Sequence, residues 1–384
     1  MGNAKPERRS DKSRSRRPVQ LAPMWIALPV TFTCAVLIAG VALWSGLRLL
    51  DVHGVKHEKQ IDSKVLFDLV KLSFAMVAGV GGLVALVVAY RKQRTEENSA
   101  LREDTKLHSD RFTAAVAQLG DPSPAVQLGG VHAVAGLADD APTPQLRQTC
   151  IDVLCAYLRL PYDPDPGDRP DEGADPAGYE AHFRARAGYR ALREVRHTVI
   201  RIIGNHLRDD ASVSWRDHDF DFTDVVFDGG DLHGAVFTGA TLFTGAAFAS
   251  GRLDLSGTRF ASGTADFRAA RFTGGTVDFL NVQFTDGTVS FVGAEFTGGT
   301  VYFVGAAFMG ASIYFSGAEF TGGEILFIEA KFSAGEVDFN GSKFVNGTVD
   351  FSNAEFTDNS VVSFVGATGR RPHGLPDGFA PQLS

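Results

Sequence analysis

Cysteine and tyrosine are scarce in this chain of 384 residues. The three cysteines, Cys34, Cys150 and Cys155, form no C-x-x-C motif and no paired framework. This usage argues against a disulfide-stapled extracellular domain and favours a reducing cytosol. The seven tyrosines contrast with 30 phenylalanines, of which 24 lie between Phe220 and Phe364. So strong a preference for one aromatic residue, confined to one segment, indicates a repeated structural position.

Recognisable catalytic motifs are missing as well. The sequence contains no G-x-S-x-G, no H-E-x-x-H and no phosphate-binding loop, which are common signatures of nucleophilic, zinc-dependent and phosphate chemistry. The histidines in the middle of the chain, at 132, 182, 197 and 206, lack the spacing of metal ligands. We therefore predict no catalytic residue, no cofactor site and no metal site, and we expect that the protein is not an enzyme.

Charge is absent from two long stretches near the N-terminus. Residues 22–47 contain no charged residue, and the run from Leu72 to Tyr90 is a second such stretch. Each stretch is long enough to span a bilayer as a helix. We therefore predict a transmembrane hairpin over 22–90, with spans at about 22–47 and 68–90. Small residues recur at four-residue spacing in both spans, so the helices can pack closely within the hairpin or between two copies.

The charges that flank these spans predict their orientation. The arm 1–21 is strongly basic, and Arg91, Lys92 and Arg94 follow the second span directly. Cytoplasmic flanks of membrane spans carry an excess of Lys and Arg. The pattern therefore favours a multi-pass protein of the cell membrane, with both its N-terminus and its C-terminus in the cytoplasm. Asp68 and Lys71 lie at the start of the second span, and no acidic or basic residue lies within either uncharged run to mark an ion pathway, which argues against a channel or transporter.

Residues 91–208 read as a charged stalk followed by a small helical bundle. Ser-Pro at 123–124 and Thr-Pro at 143–144 both fit an N-cap followed by a first-turn proline. A third amphipathic helix is predicted at about 189–207. The segment 161–178 is acidic and rich in proline and glycine, so we predict that it is a loop.

A twelve-residue repeat follows the bundle. Each copy reads apolar–x–Phe–x–x–small–x–Phe and ends in four linking residues, with Leu255 in place of one phenylalanine. Steps of five and seven residues would scatter the rings around a helix, whereas two inward residues separated by one fit a very short strand. Before the first copy the spacing is strictly five, at Phe222, Phe227, Leu232 and Phe237. Ten copies begin at Thr241, Leu253, Ala265, Val277, Val289, Val301, Ile313, Ile325, Val337 and Val349.

A central Leu or Phe every five residues, with a small or apolar residue two positions earlier, resembles the pentapeptide-repeat family over about residues 218–364. The resemblance implies a right-handed, quadrilateral parallel β-helix, here with alternate corners lengthened from five residues to seven. Two of the repeat units then make one coil, so 212–364 holds about six coils, most of them with a twenty-four-residue period. The preceding hairpin and helices are similar to bacterial membrane proteins of that family. The predicted fold class is therefore α plus β-solenoid, with a disordered tail at 365–384.

Residues 24 apart in the repeat are expected to stack on neighbouring coils. The outward residues Leu280, Val304 and Ile328 then form one column, and Tyr302 and Leu326 lie in the column beside it. We predict that these five residues, the contact patch, bind a protein partner or a second copy. The aspartates that precede inward phenylalanines are expected to form a charged, solvated face.

These features favour a non-enzymatic, membrane-anchored scaffold that binds an unidentified protein on the cytoplasmic side. Its other expected partners are the lipid bilayer and a second copy, bound through the transmembrane helices or the last coil. The alternative implied by the resemblance is a DNA mimic that inhibits a nucleic-acid enzyme such as a topoisomerase. The segment 212–364 holds 19 acidic and 7 basic residues, which permits mimicry. However, the acids cluster at 217–231 instead of running along the solenoid, so we do not expect a nucleic-acid partner.

Overall fold

The computed structural model describes residues 63–163, 165–168, 175–357, 360–376 and 383, and eight helical positions between 30 and 48. The chain divides into two compact units, Met1–Arg102 and Glu103–Ser384. The predicted basic arm at 1–21 lies outside the described residues. So does the predicted span at 22–47, apart from those helical positions.

One helix begins in the first unit and continues into the second. Helix α1 covers Ser63–Leu119 without interruption. Within it, Val70–Glu97 is the one stretch among the described residues that is long and apolar enough to cross a membrane. This candidate span overlaps the predicted second span at 68–90. The charged residues that follow remain helical, as expected for a stalk.

Three further helices form the bundle of the second unit. They are α2 (Pro124–Asp139), α3 (Pro144–Arg159) and α4 (Pro176–Leu207). Each has proline in its first turn, where the missing N–H is not needed. Thr143 Oγ1 accepts a hydrogen bond from the Leu146 N–H at 3.3 Å. Asp175 Oδ1 accepts one from the Gly178 N–H at 2.7 Å.

The start of α4 corrects one prediction. We expected the third helix from about residue 189 and a loop over 161–178, but the helix begins at Pro176. The reason is that Asp175-Pro176 is the same cap-and-proline signal that begins the other two helices. This signal lies within a segment whose proline and glycine content predicts a loop.

The rest of the second unit is a β-solenoid of very short strands, all paired in parallel. The strands in chain order are β1 (Phe220–Asp221), β2 (Val226–Phe227), β3 (Gly230–Asp231), β4 (Val236–Phe237), β5 (Thr241–Leu242), β6 (Ala247–Phe248), β7 (Arg252–Asp254), β8 (Arg259–Phe260), β9 (Thr264–Asp266), β10 (Arg271–Phe272), β11 (Thr276–Asp278), β12 (Gln283–Phe284), β13 (Thr288–Ser290), β14 (Glu295–Phe296), β15 (Thr300–Tyr302), β16 (Ala307–Met309), β17 (Ser312–Tyr314), β18 (Glu319–Phe320), β19 (Glu324–Leu326), β20 (Lys331–Asp338), β21 (Lys343–Phe344), β22 (Thr348–Asp350), β23 (Glu355–Phe356), β24 (Ser360–Ser363) and β25 (Thr368–Gly369).

Strands four apart in this order pair with each other up to β16–β20. Because β20 then serves as two strands, the next pairs are three apart, and the whole set produces four ladders. The first ladder is β1-β5-β9-β13-β17-β20-β24, the second β2-β6-β10-β14-β18-β21-β25, the third β3-β7-β11-β15-β19-β22 and the fourth β4-β8-β12-β16-β20-β23. The long strand β20 belongs to two ladders, so the first and fourth join into one sheet of 12 strands. Four strands therefore make one coil: coil 1 is β1–β4, coil 2 is β5–β8, coil 3 is β9–β12 and coil 4 is β13–β16. Coil 5 runs from β17 to the first half of β20, and coil 6 runs from the second half of β20 to β23. Among the described residues, β24 and β25 begin a seventh coil.

The register confirms the predicted length of a coil. Val289 pairs with Ala265 before it and Ile313 after it, each twenty-four positions away. The step is shorter at the start, where Phe220 pairs with Thr241, because the first coil has corners of five residues only. It is longer at the end, where Val337 pairs with Val362.

Stacked phenylalanine rings fill the solenoid. The Phe291 ring lies between those of Phe267 and Phe315, with both centroid distances 4.7 Å and planes within 8° and 4°. All three side chains are almost fully buried. Each fully buried ring contributes on the order of 2 kcal/mol before the loss of entropy is subtracted. This explains how a chain with so many glycines orders itself.

The two ends of the solenoid are covered differently. At the first coil, α4 packs so closely that a Cβ at Gly204 would lie 2.7 Å from the Asp231 carbonyl oxygen. At the last coil, Thr368–Gly369 pairs with β21 and the Phe351 N–H donates to the His373 carbonyl at 2.8 Å. The predicted disordered tail is therefore wrong for residues 365–376. They continue the backbone ladder, and Leu375 is buried against the last coil.

Candidate interaction surface

Aspartate has a structural role at the corners of the solenoid. On the third ladder, the carboxylates of Asp254, Asp278 and Asp350 each accept a hydrogen bond from the backbone N–H two residues later, at 2.9, 2.9 and 2.8 Å. Aspartate commonly closes turns in this way. The same bond recurs elsewhere in the solenoid, at Asp221, Asp231, Asp266 and Asp338.

The expectation of a solvated aspartate face is therefore wrong in part. Asp266 is 4% exposed and Asp278 is 5% exposed. The Arg268 guanidinium bonds both oxygens of Asp266, and the Arg252 guanidinium bonds Asp278. Burial raises the pKa of the Asp266 carboxyl, but the hydrogen bonds from Arg268 outweigh burial and lower that pKa. These aspartates point outward, yet arginines cover them.

The contact patch interrupts this pattern. In the third ladder Asp278 pairs with Tyr302, Tyr302 with Leu326, and Leu326 with Asp350. Coils 4 and 5 therefore place an aromatic and an aliphatic side chain where the adjoining coils have the corner-closing aspartate. Tyr302 and Leu326 are both half-buried.

A second column of the contact patch lies two residues further along each coil. The Asn281 N–H donates to the Val304 carbonyl, and the Gly305 N–H donates to the Ile328 carbonyl, both at 2.9 Å. These bonds place Leu280, Val304 and Ile328 above one another. Leu280 is 38% exposed, and the other two are half-buried. The structure thus brings the five predicted residues together, and their role in binding remains a prediction.

Serine occupies this second column in the coils on either side of the patch. The hydroxyls of Ser256 and Ser352 each donate to the neighbouring aspartate, Asp254 and Asp350, at 2.6 Å. In these two coils the polar pair at this corner is Asp-x-Ser, with both residues hydrogen-bonded. The contact patch replaces both members of the pair in coils 4 and 5.

Two apolar residues that were not among the five predicted ones lie beyond the turn that follows the contact patch. After Val304 the chain turns and continues as β16, where Ala307 is half-buried and Met309 is 44% exposed. Threonine follows the second inward phenylalanine in five of the ten repeats. Thr285 Oγ1, for example, donates to the Ala261 carbonyl of the preceding coil at 3.2 Å. Methionine in place of threonine at 309 was the sequence feature that could have predicted this additional apolar surface.

The first ladder is a natural comparison surface. Its corresponding column contains Asp266, Ser290, Tyr314 and Asp338. Ser316, two residues after Tyr314, donates to Asp338 at 2.6 Å. This side has one tyrosine and one exposed valine, Val292, each with a serine in its own coil, so it lacks the continuous apolar patch of the third ladder.

A buried carboxylate joins the bundle to the first coil. Asp228 is 5% exposed and accepts hydrogen bonds from the hydroxyls of Tyr162 and Tyr189 at 2.8 and 2.7 Å. Arg193 and His197 of α4 reach the same carboxylate at 3.2 and 2.9 Å. Burial raises the pKa of Asp228, but the bonds from His197 and the two tyrosines outweigh burial and hold that pKa well below its usual range.

Other acids near the first coil are also bound by arginines. Asp221 pairs with Arg159 of α3, and Asp231 pairs with Arg208 at 3.1 Å. Much of the acidic cluster at 217–231 therefore makes internal contacts between helices and solenoid. Such carboxylates are not free to imitate a row of phosphates.

The described residues also bear on possible chemistry. In those parts of the chain, no group of three His, Cys, Asp or Glu side chains converges as a metal site. Burial raises the pKa of the Cys150 thiol to about 11 and that of the Cys155 thiol to about 12. Both thiols therefore stay protonated at neutral pH and are poor nucleophiles.

Comparison with known proteins identifies the repeat. A family model described as pentapeptide repeats (9 copies) matches residues 222–264. No curated protein and no solved structure matches the chain. The match begins in the coil with five-residue spacing and ends soon after the corners lengthen to seven residues. The chain therefore carries pentapeptide repeats within its C-terminal β-solenoid.

Proposed function

We propose that this protein is a non-enzymatic, membrane-anchored scaffold whose solenoid binds a protein partner through the contact patch. One observation carries the proposal. Two successive coils place Tyr302 and Leu326 where the coils on both sides have a corner-closing aspartate. On the first ladder, by contrast, Tyr314 lies between Ser290 and Asp338, so only the third ladder has large apolar side chains in two successive coils of this column.

Aspartate and an apolar residue at this corner stabilise the free protein to different extents. A hydrogen bond to a charged carboxylate contributes about 1.5–3 kcal/mol, and the Asp-x-Ser corner supplies such bonds. Half-exposed Tyr302 and Leu326 recover only part of that in the free protein. A partner that covers them removes their apolar surface from water, and a central aromatic anchor commonly contributes about 2 kcal/mol to binding.

The membrane location is part of the proposal. Helix α1 contains the candidate span Val70–Glu97, and the uncharged run at 22–47 supplies the proposed second span. Basic residues on the outer flanks of the two runs favour cytoplasmic N- and C-termini. By resemblance, we further propose a bacterial cell membrane and a four-sided, right-handed solenoid. Close-packing small residues in the spans would permit a homo-oligomer.

The alternative, a DNA mimic, has less support. Asp221, Asp228 and Asp231 are engaged by cationic side chains of the same chain. A mimic needs acids that are regularly spaced and available to an enzyme's basic groove. Inhibition of topoisomerase supercoiling by the purified chain would favour this alternative over the scaffold.

The contact patch can be tested without disturbing the corner. Tyr302→Asn with Leu326→Asn restores a side chain that can close the turn and removes the apolar surface without adding charge. Tyr314→Asn makes the same change on the first ladder and is the matched control. Proximity labelling in native membranes should lose specific neighbours with the double variant only. Unchanged neighbours in both variants would contradict the proposal.

A further inference from the structure

The rim of the contact patch carries uncompensated negative charge. Glu324 precedes Leu326 by two residues, and Glu329 directly follows Ile328. Both glutamates are exposed, and neither has an ion pair within the part of the chain that the structure describes. They therefore flank the apolar residues of coil 5 on both sides.

The other charges near the patch are already paired. Lys331, on the fourth ladder beside Ala307, forms an ion pair with Glu355 at 3.4 Å. Asp278 is bound by Arg252, and Asp350 accepts from His373 at 3.0 Å. Among the described residues at this rim, Glu324 and Glu329 are thus the exposed acids without an ion pair.

The apolar surface extends beyond the five predicted residues. Ala307 and Met309 continue it around the corner in coil 4. Leu280, in coil 3, and Ile328, in coil 5, are two coil steps apart, or about 10 Å along the solenoid. This length matches about two turns of an α-helix, which rise 5.4 Å each.

From this arrangement we infer that the contact patch binds a basic amphipathic helix of a partner protein. The inference rests on the proposed function of the patch. The helix lays apolar side chains over Tyr302, Val304 and Leu326, and its flanking Lys or Arg residues meet Glu324 and Glu329. A second copy bound through the same patch would bring like charges together, which opposes self-association at this surface.

A peptide of defined composition tests the chemistry of the partner. The probe is a fluorescent helical Leu/Lys peptide of four turns, and its control is the Leu/Glu peptide with the same apolar face. Each is titrated into the full chain in zwitterionic nanodiscs, with empty nanodiscs subtracted. Saturable binding of the Leu/Lys peptide alone, weakened by added salt, is the expected result.

Variants locate the binding and separate charge from apolar contact. Glu324→Gln with Glu329→Gln should weaken binding about fivefold, or about 1 kcal/mol in total, because two solvent-exposed ion pairs are lost. Tyr302→Asn with Leu326→Asn should weaken it about 30-fold or more. Tyr314→Asn should leave the affinity unchanged.

Met309→Thr guards against misfolding as an explanation. It introduces the threonine found at this position in half of the repeats, so it should weaken peptide binding about threefold while the urea midpoint rises. Equal binding of the Leu/Glu peptide, or no effect of the glutamine variants, would overturn the inference about the partner's charge. The proximity-labelling result would then still decide whether the patch itself is functional.

Discussion

Replacing Asp228 by asparagine should loosen the attachment of the helical bundle to the first coil. The carboxylate is almost fully buried and accepts bonds from Tyr162, Tyr189, Arg193 and His197. All four partners belong to the helical part of the chain. Asparagine has nearly the same size but no charge, so the change tests the carboxylate and not the packing.

The cost can be worked from these contacts. Asparagine keeps one acceptor oxygen, so about half of the four bonds survive. Losing two bonds to a charged group at about 1.5–3 kcal/mol each gives a destabilisation of about 3–6 kcal/mol. Removing one partner of a buried charged pair costs about 3–5 kcal/mol, which lies within this range.

The pH dependence follows from the lowered pKa of Asp228. A depressed folded-state pKa contributes stability that is present above the unfolded-state pKa of about 4. That contribution is lost as pH falls through the lower folded-state pKa. The difference between the native chain and Asp228→Asn should therefore be greatest near neutral pH and shrink below about pH 4.

Urea unfolding and amide hydrogen exchange measure these effects. The urea midpoint of the variant should fall. Relative to the native chain, amide exchange should accelerate more in α4 and β2 than in coils 4 and 5. Asp224→Asn, an exposed position on the same coil, is the matched control and should change neither. An unchanged midpoint with unchanged exchange in α4 would refute the reasoning.

Three further predictions concern the solenoid, and urea midpoints check each. Phe291→Ala should cost about 3–5 kcal/mol, whereas Phe356→Ala should cost less because that ring, which stacks on Phe332, is only half-buried; equal losses would contradict ring burial as the source of stability. Gly287→Ala should cost about 2 kcal/mol or more, because φ is +84° and a Cβ would strike the Gly263 carbonyl; a neutral effect would mean that the corner can relax. Met309→Thr should stabilise by about 1 kcal/mol through a new bond to the preceding coil; a lower midpoint would show that this corner cannot accept threonine.

The solenoid was predictable because one constraint recurs in every coil. Phe267, Phe291 and Phe315 occupy the same position in successive units, so a single register satisfies all of them. A wrong register would have exposed a whole column of rings. The columns of the contact patch followed from the same arithmetic, as the pairing of Tyr302 with Leu326 confirms.

The predictions that were wrong concern residues whose contacts come from distant parts of the sequence. The sequence pattern predicts that Asp278 is solvated because it precedes an inward phenylalanine. Its burial depends instead on Arg252 of the preceding coil. The four partners of Asp228 come from segments 31 to 66 residues away. The glycines and prolines of the tail predict disorder. However, an open strand edge gives even such a segment backbone partners, as at His373.

The period of the coils has a consequence for how this protein could vary. Inserting one whole coil between coils 2 and 3 would move the contact patch about 4.8 Å further from the bundle and leave it on the third ladder. Inserting a single repeat unit would transfer it to the first ladder, because those two ladders are half a coil apart in the sequence. Whole-coil insertions therefore act as spacers, and half-coil insertions change the direction in which the patch faces. Length and orientation can be altered separately, while the stacked rings that hold the solenoid together remain in phase.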